Sequence, residues 1–458
     1  MTKYDAYTER IKRLLPDEWE AFLRASACAP SLRVNTLKMT SARLETLLDV
    51  PLDPVEWCED GRYYPEDFAA GKTALHEGGA YYIQEASAML PATLLDARPG
   101  ELVLDLCAAP GGKSGQLAAA MKGEGLLVCN EVVPSRAAIL SRSIERLGVR
   151  NAVVLNESVP RLQDRFPSAF DKILVDAPCS GEGMFAKDPN ARAEWTADSP
   201  SICAARQKAI LDSAATMLKS GGVLCYSTCT FAPEENELQV EDFLRSHPEF
   251  ELVKLRTAIP QPRLADFVPK AVASKCVRVM PHLARGNGHF CALMRKTDGD
   301  DISLPKGKYS VPRAMARVWD DFAKSALKTT SIAPNAAFGD FLVMLPECCP
   351  DLSGLKTLRS GLRLGDVVKG RLDPSHSLAA ALSADDATNV LNLPHDSRAA
   401  RDYLFGATLE SDARGWCLVA ASGCSLGWGK GSDGTIKNHY PKGLRPTRSH
   451  RFLTCFYA

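Results

Sequence analysis

The most regular pattern of hydrophobic positions lies between Glu101 and Thr228. There the short apolar runs LVLDL, LLVCNEV, AVVLN, KILVDA and VLCYST alternate with stretches of helical character. Short apolar runs bounded by turn signals are buried strands, and strands separated by helical stretches make βα units of a parallel sheet. Further on, CVRVM and HFCALMRK are joined by the turn-rich PHLARGNG, which predicts an antiparallel hairpin at the sheet edge. Five parallel strands and a terminal hairpin define an α/β, doubly wound, Rossmann-like sheet.

Outside this block the pattern is less regular. Ile11, Leu14, Leu15, Trp19 and Phe22 recur at helical spacing and predict one amphipathic helix, LRVNTLK reads as a strand, and YYIQEASAMLPATLL as a helix leading into the main domain. Beyond Thr297 the pattern breaks at DGDDISLPKGK, a linker. Residues 315–327 are helical in character, GDFLVMLPE is strand-like, and LDPSHSLAAAL is a turn into a helix that Ser375 is placed to cap. The last ~60 residues are Gly-rich, contain the strand-like GWCLVAASG and suit a small β-barrel. The expected division is a small α+β domain over residues 1–80, the main domain over 81–297, a linker and extension over 298–395 and a barrel module over 396–458.

Composition narrows the class. A chain of 458 residues, 45% hydrophobic and 24% charged, can bury several cores. Its fifteen cysteines include no CxxC, no His pair has HExxH spacing, no secretory pattern precedes Tyr4, and no run reaches transmembrane length. A reduced, cytoplasmic, metal-free chain without membrane association is expected, with a monomer favoured. Cys129, Cys225 and Cys291 sit within apolar runs, where a thiol acts as a small hydrophobe.

Lys+Arg and Asp+Glu balance at 55 each, so only the local distribution of charge is informative. Near the carboxyl end stand Lys430, Lys437, Lys442, Arg445, Arg448 and Arg451 against Asp433 alone, with Trp428, His439, Tyr440 and His450 interleaved. Cations for phosphates and aromatic faces for bases suit unpaired RNA; the alternative is a solvated face.

The candidate chemistry follows the strand ends. LVLDLCAAPGGKSGQLAAAM is a strand, a Gly-rich loop and a helix, matching neither GxGxxG nor a P-loop. It suits the amino-acid and ribose end of S-adenosylmethionine, which has no phosphate to cradle. Glu131, nineteen positions after Gly112, is placed to accept ribose hydroxyls. Arg136 either joins the ligand set or braces that acidic loop, and after the third strand Asn156 or Ser158 either faces the adenine or serves a turn. Asp176 ends the fourth strand, where it either meets a pyrimidine edge or caps the next turn. Cys179 and Cys229 close the fourth and fifth strands in DKILVDAPCSGEGMF and GGVLCYSTCTFAPEENE. Carbon 5 of cytosine accepts a methyl group only after a thiolate adds to carbon 6, so paired thiols beside a nucleotide loop point to cytosine-5 methylation.

CAAPGGK, DAPCSGEGMFAKDP, YSTCTFAPEENE, RVNTLK and PHLARGNGHFCALM resemble the motifs of the Sun/Nop-type RNA 5-methylcytosine methyltransferases. DPSHSLAAAL, GWGKG and KNHYPKGLR resemble the carboxyl extension and PUA-like RNA-binding module of their bacterial ribosomal RNA members, the RsmF group. The resemblance covers nearly the whole chain. It implies a class I methyltransferase sheet, an RNA-binding amino-terminal domain and S-adenosylmethionine as cofactor, with small-subunit ribosomal RNA as partner. It also implies Cys229 as nucleophile and Cys179 as the helper in product release. Cofactor contacts are implied for Cys107, Ala108, Ala109, Pro110, Gly111, Gly112, Lys113, Glu131 and Asp176, with Lys113 and Asp176 reaching the cytosine. Where many members carry Asp after the third strand, this chain has Ser158. The same reaction on tRNA, or a non-catalytic assembly factor on this fold, are the alternatives. Retention of both thiols, the glycine loop and the strand-end acids argues against the last.

Overall fold

The computed structural model describes residues 3–25 and 28–446. Its amino-terminal part opens with two helices, Lys3–Leu14 and Trp19–Arg24, in place of the single helix expected. Pro16 lacks the N–H that would continue the first helix. Both pack on the main domain, where the Phe22 ring meets Phe231 edge to face with centroids 4.8 Å apart. A four-stranded sheet follows, in the order Asp53–Val55, Cys58–Tyr63, Ser31–Val34, Tyr81–Ile83. The segment YYIQEASAMLPATLL is therefore not one helix. Its β-prone Tyr-Tyr-Ile start pairs with Ser31–Val34, a 3-10 turn spans Ser87–Met89, and only Leu90–Leu95 is α-helical.

The central sheet has nine strands: β1 Leu102–Asp105, β2 Leu126–Asn130, β3 Ala152–Leu155, β4 Phe170–Asp176, β5 Leu218–Thr228, β6 Phe250–Val253, β7 Val277–Val279, β8 His289–Lys296 and β9 Thr357–Ser360. They lie in the order β6-β8-β5-β4-β1-β2-β3-β9, with β7 paired to β8. The five expected strands, β1 to β5, run parallel. The β7–β8 hairpin also forms, but β8 lies inside the sheet, antiparallel to both β5 and β6. Seven of its eight residues are buried, as a strand covered on both faces requires.

The far edge is closed by β9, antiparallel to β3, with Thr357 opposite Leu155 and Ser360 opposite Val153. Arg359 on β9 donates to Glu145 Oε2 at 2.6 Å and to Ser377 Oγ at 2.9 Å, tying the strand to the helix Pro134–Arg146. Ala336, Val343, Leu345, Cys349 and Leu352 join the same apolar core as Leu104, Val153 and Ile173. The carboxyl half thus builds part of the main core.

Beyond it stand a second four-stranded sheet, the helix His376–Ala381 and a five-stranded, open half-barrel sheet. Ser375 caps that helix as expected, accepting from Leu378 N at 3.0 Å. The half-barrel docks on the amino-terminal part: Cys424 Sγ lies 3.2 Å from Gly78 O, and Arg43 Nη2 donates to Ser422 O at 2.8 Å. No helix among the described residues is long and apolar enough to cross a membrane.

Candidate active site

Four neighbouring strands deliver their carboxyl ends to one place, as ligand sites in open α/β sheets require. β5, β4, β1 and β2 bring Cys229, Asp176, Asp105 and Glu131 respectively. The loop after β1 is anchored on both sides, since Leu106 N donates to Leu174 O at 2.9 Å and Ala108 N to Asn130 O at 2.8 Å. Gly111 has φ 111°, and a Cβ there would lie 2.9 Å from Ser143 Cβ, so glycine is demanded twice. Arg33 of RVNTLK reaches the same loop, donating to Gly112 O at 2.8 Å.

Asp105 is buried. Its Oδ2 accepts from Ser114 Oγ at 2.6 Å while Oδ1 has no partner, and burial pushes the carboxyl up to about 7. Glu131, the first residue beyond β2, is 3% exposed and accepts from Val133 N at 2.9 Å. Arg136 braces this acidic turn: Nη2 donates to Ala109 O at 3.0 Å and Nη1 stands 3.4 Å from Glu131 Oε2. Asn156 does likewise, with Nδ2 donating to Glu131 O at 2.7 Å. Ser158 is exposed at the start of the helix Val159–Arg165 and makes no side-chain cap bond.

Asp176 and Lys113 form an ion pair, Nζ to Oδ2 2.6 Å. Ser227 Oγ donates to Asp176 Oδ1 at 2.8 Å, and His289 Nε2 stands 3.4 Å from the same oxygen. Burial alone would raise the Asp176 carboxyl, but Lys113 and His289 outweigh it and hold it well below the ordinary range. Burial likewise works against the Lys113 ammonium, and Asp176 reverses the sign, raising it. Neither Ser227 nor His289 was singled out from sequence, although both lie within the motifs YSTC and GNGHFCALM.

The structure brings the two cysteines together, with Cys179 Sγ 3.3 Å from Cys229 Sγ. Contact with Cys229, and then burial, push the Cys179 thiol well above its ordinary value. Cys129, Cys225 and Cys291 are fully buried within strands, as expected.

S-adenosylmethionine carries a sulfonium and an ammonium. The residues fit it: three acids crowd adjacent strand ends, Asp105 keeps an unpartnered oxygen, and the glycine loop brings backbone close. Asp105, Glu131 and the loop would hold the cofactor.

The carboxyl module corrects one expectation. Trp428 and Tyr440 are 2% and 4% exposed and fill its core, so they are not faces for bases. In GWGKG the Trp428 ring points inward, with Nε1 donating to Ser375 O at 3.0 Å. Arg445 packs over Gly406 and donates to Tyr440 O at 3.3 Å. The outward stripe is instead Trp416, Lys430 and Lys437, directly opposite one another on three strands, with His439 4.8 Å from the Trp416 ring. Lys442 is also exposed. Arg448, His450 and Arg451 lie outside the described residues.

A sheet of this order with a glycine loop, strand-end acids and two apposed thiols defines a class I methyltransferase of the RNA cytosine-5 type. The chain belongs to the ribosomal RNA small subunit methyltransferase F family. Residues 92–295 match the 16S rRNA methyltransferase RsmB/F family. Residues 4–86, 321–382 and 390–446 match the RsmF N-terminal, first C-terminal and PUA domains. The ribosomal RNA small subunit methyltransferase F of Vibrio vulnificus is 34% identical over 96% of this chain and 97% of that protein. The protein of the same name from Aeromonas salmonicida is 33% identical over 96% of each. Among solved structures, a methyltransferase homologue from Pyrococcus horikoshii is 31% identical, with TM-score 0.56, over 63% of this chain and 94% of that one. NSun6 from the same organism, at 23% identity and TM-score 0.56, shares the fold over 64% of this chain and 98% of its own.

Proposed function

We propose that the chain methylates carbon 5 of a cytosine in small-subunit ribosomal RNA, with S-adenosylmethionine as methyl donor, through a covalent adduct on Cys229. The 3.3 Å approach of the two sulfurs beside the Lys113–Asp176 pair carries this reading. The cofactor, when bound, supplies an electrophilic methyl group and departs as a neutral thioether. Cys229, as thiolate, adds to carbon 6 and pushes the ring electrons towards carbon 5. Asp176, held ionised by Lys113 and His289 and oriented by Ser227, meets the pyrimidine edge, while the Lys113 ammonium offsets negative charge that builds up on the ring. After methylation the carbon-5 proton passes to water acting as base, the C–H bonding electrons restore the double bond, and Cys229 departs as thiolate. Cys179 assists that release. The match of YSTC and DAPC to the family's motifs supports Cys229 as the attacking group and Cys179 as the helper.

The target cytosine is unpaired or flipped, because attack at carbon 6 comes from above the ring plane. The carboxyl module grips RNA phosphates with Lys430 and Lys437. Like charges directly opposite on a sheet are unfavourable unless an anion lies over them. RNA contact falls to the amino-terminal and carboxyl parts and chemistry to the central sheet, which takes β9 from the extension 298–395, while Tyr81–Ile83 pairs within the amino-terminal sheet and Val390–Leu393 within the half-barrel. Labelled methyl transfer to small subunits, naked 16S rRNA and tRNA tests the reading. Incorporation into ribosomal RNA is expected; incorporation into tRNA alone, or none, overturns it.

A further inference from the structure

Glu235 is fully buried in the 3-10 turn Pro233–Glu235. Its carboxylate accepts from Ser180 N at 3.0 Å, from Ser180 Oγ and from Gln207 Nε2 at 2.8 Å. Gln207 Nε2 in turn donates to Pro178 O at 3.0 Å. Both residues flanking Cys179 are therefore fixed through one carboxylate. The other thiol is bound into the same brace. Ser180 Oγ lies 2.8 Å from Thr230 Oγ1, next to Cys229, and Tyr226 OH on β5 donates to Glu235 O at 2.6 Å. No cation among the described residues forms an ion pair with Glu235, and burial pushes its carboxyl up to about 7. A buried carboxylate satisfied only by neutral donors is costly to keep; here two of the bonds come from Ser180, beside Cys179, and the third from Gln207, which itself holds Pro178 O.

We propose that Glu235 is a positioning residue for methyl transfer: it ties the turn 178–180 to the segment after β5 and so sets the separation of the Cys179 and Cys229 sulfurs. This rests on the reading that those thiols are the reacting pair. Glu235 itself touches neither base nor cofactor; it acts through Ser180 and Gln207. Glutamine fits the same bonds, its oxygen accepting from Ser180 N and Gln207 and its nitrogen donating to Ser180 Oγ.

The test compares full-length Glu235→Ala and Glu235→Gln in two assays. One measures kcat and the KM values for S-adenosylmethionine and ribosomal RNA. The other, without RNA, follows diamide oxidation of the two thiols to a Cys179–Cys229 disulfide by peptide mass mapping, the diamide being reduced to its hydrazine. Glu235→Ala removes all three bonds to the carboxylate and should lower kcat and the rate of cross-linking at least about tenfold each, with the KM for S-adenosylmethionine unchanged. Glu235→Gln should restore most of both. Wild-type cross-linking in Glu235→Ala, or equal impairment of the two variants, overturns the proposal. Should Glu235→Ala fail to fold, Ser180→Ala removes one anchor, and an undiminished cross-linking rate there overturns it equally. A wild-type protein that methylates no RNA would defeat the proposed function, while the cross-linking arm would still decide the role of Glu235.

Discussion

The sulfurs of Cys179 and Cys229, 50 positions apart in sequence, lie 3.3 Å from each other across the ends of two adjacent parallel strands. On the proposed mechanism the two thiols have separable roles. Cys229→Ala should abolish turnover and leave cofactor affinity nearly intact. Cys179→Ala should instead accumulate a covalent protein–RNA species that survives a denaturing gel, because the adduct forms but is released slowly. The double variant should lose the species; its persistence there would refute the assignment.

Asp176 carries a pH signature. Its carboxyl is depressed in the fold, so the ionised form contributes stability above the ordinary carboxylate value of about 3.9 and loses that contribution as pH falls below it. Leaving Lys113 without its buried partner costs about 3–5 kcal/mol. Asp176→Asn should therefore be less stable than wild type by about that amount at pH 6, and the gap should shrink towards pH 2. Urea unfolding across this range measures it, and a gap that does not vary with pH would rule out the ionic role.

The stripe of Lys430 and Lys437 should set the salt dependence of RNA binding. Replacing both by Ala removes two phosphate contacts, and the slope of log affinity against log salt should flatten by roughly 1.5 to 2 units. Cofactor binding should not change. Titrations at several ionic strengths decide the matter, an unaltered slope placing recognition elsewhere on the protein.

Arg359 fastens β9 to the helix carrying Glu145, with side chains 7% and 28% exposed. Arg359→Ala takes the cation from Glu145, which keeps Ser377 Oγ as a donor, and should destabilise the chain by about 2 kcal/mol. Hydrogen exchange should rise selectively over residues 152–155 and 357–360. Protection equal to wild type at both segments would show that the strand holds without its clamp.

Much of the catalytic part was legible because its signals are local. The apolar runs of β1 to β5, the CAAPGG loop and the two strand-end cysteines each declare themselves within a dozen residues. What escaped depends on long-range pairing. HFCALM reads as a strand, yet nothing nearby says that it lies between β5 and β6. TLRS, with its polar ends, gives no hint that it completes a sheet about 200 residues upstream. Trp428 was misread for a related reason: in GWGKG the glycines carry no side chain to mark the buried face, and the choice falls to Phe322 and Ser375, which pack against the indole. Pro16 was visible, and its break in the first helix follows from its missing N–H.

The pairing of β9 with β3 also sets an order of events during synthesis. Leu155 leaves the translating ribosome long before its partner Thr357 exists. At roughly 5–20 residues per second, β3 waits about 10–40 s with its backbone donors and acceptors open. An uncovered strand edge is a template for pairing with another chain. The nascent protein therefore passes through an interval in which its catalytic core is nearly built but still adhesive, and that interval ends only when the carboxyl half arrives.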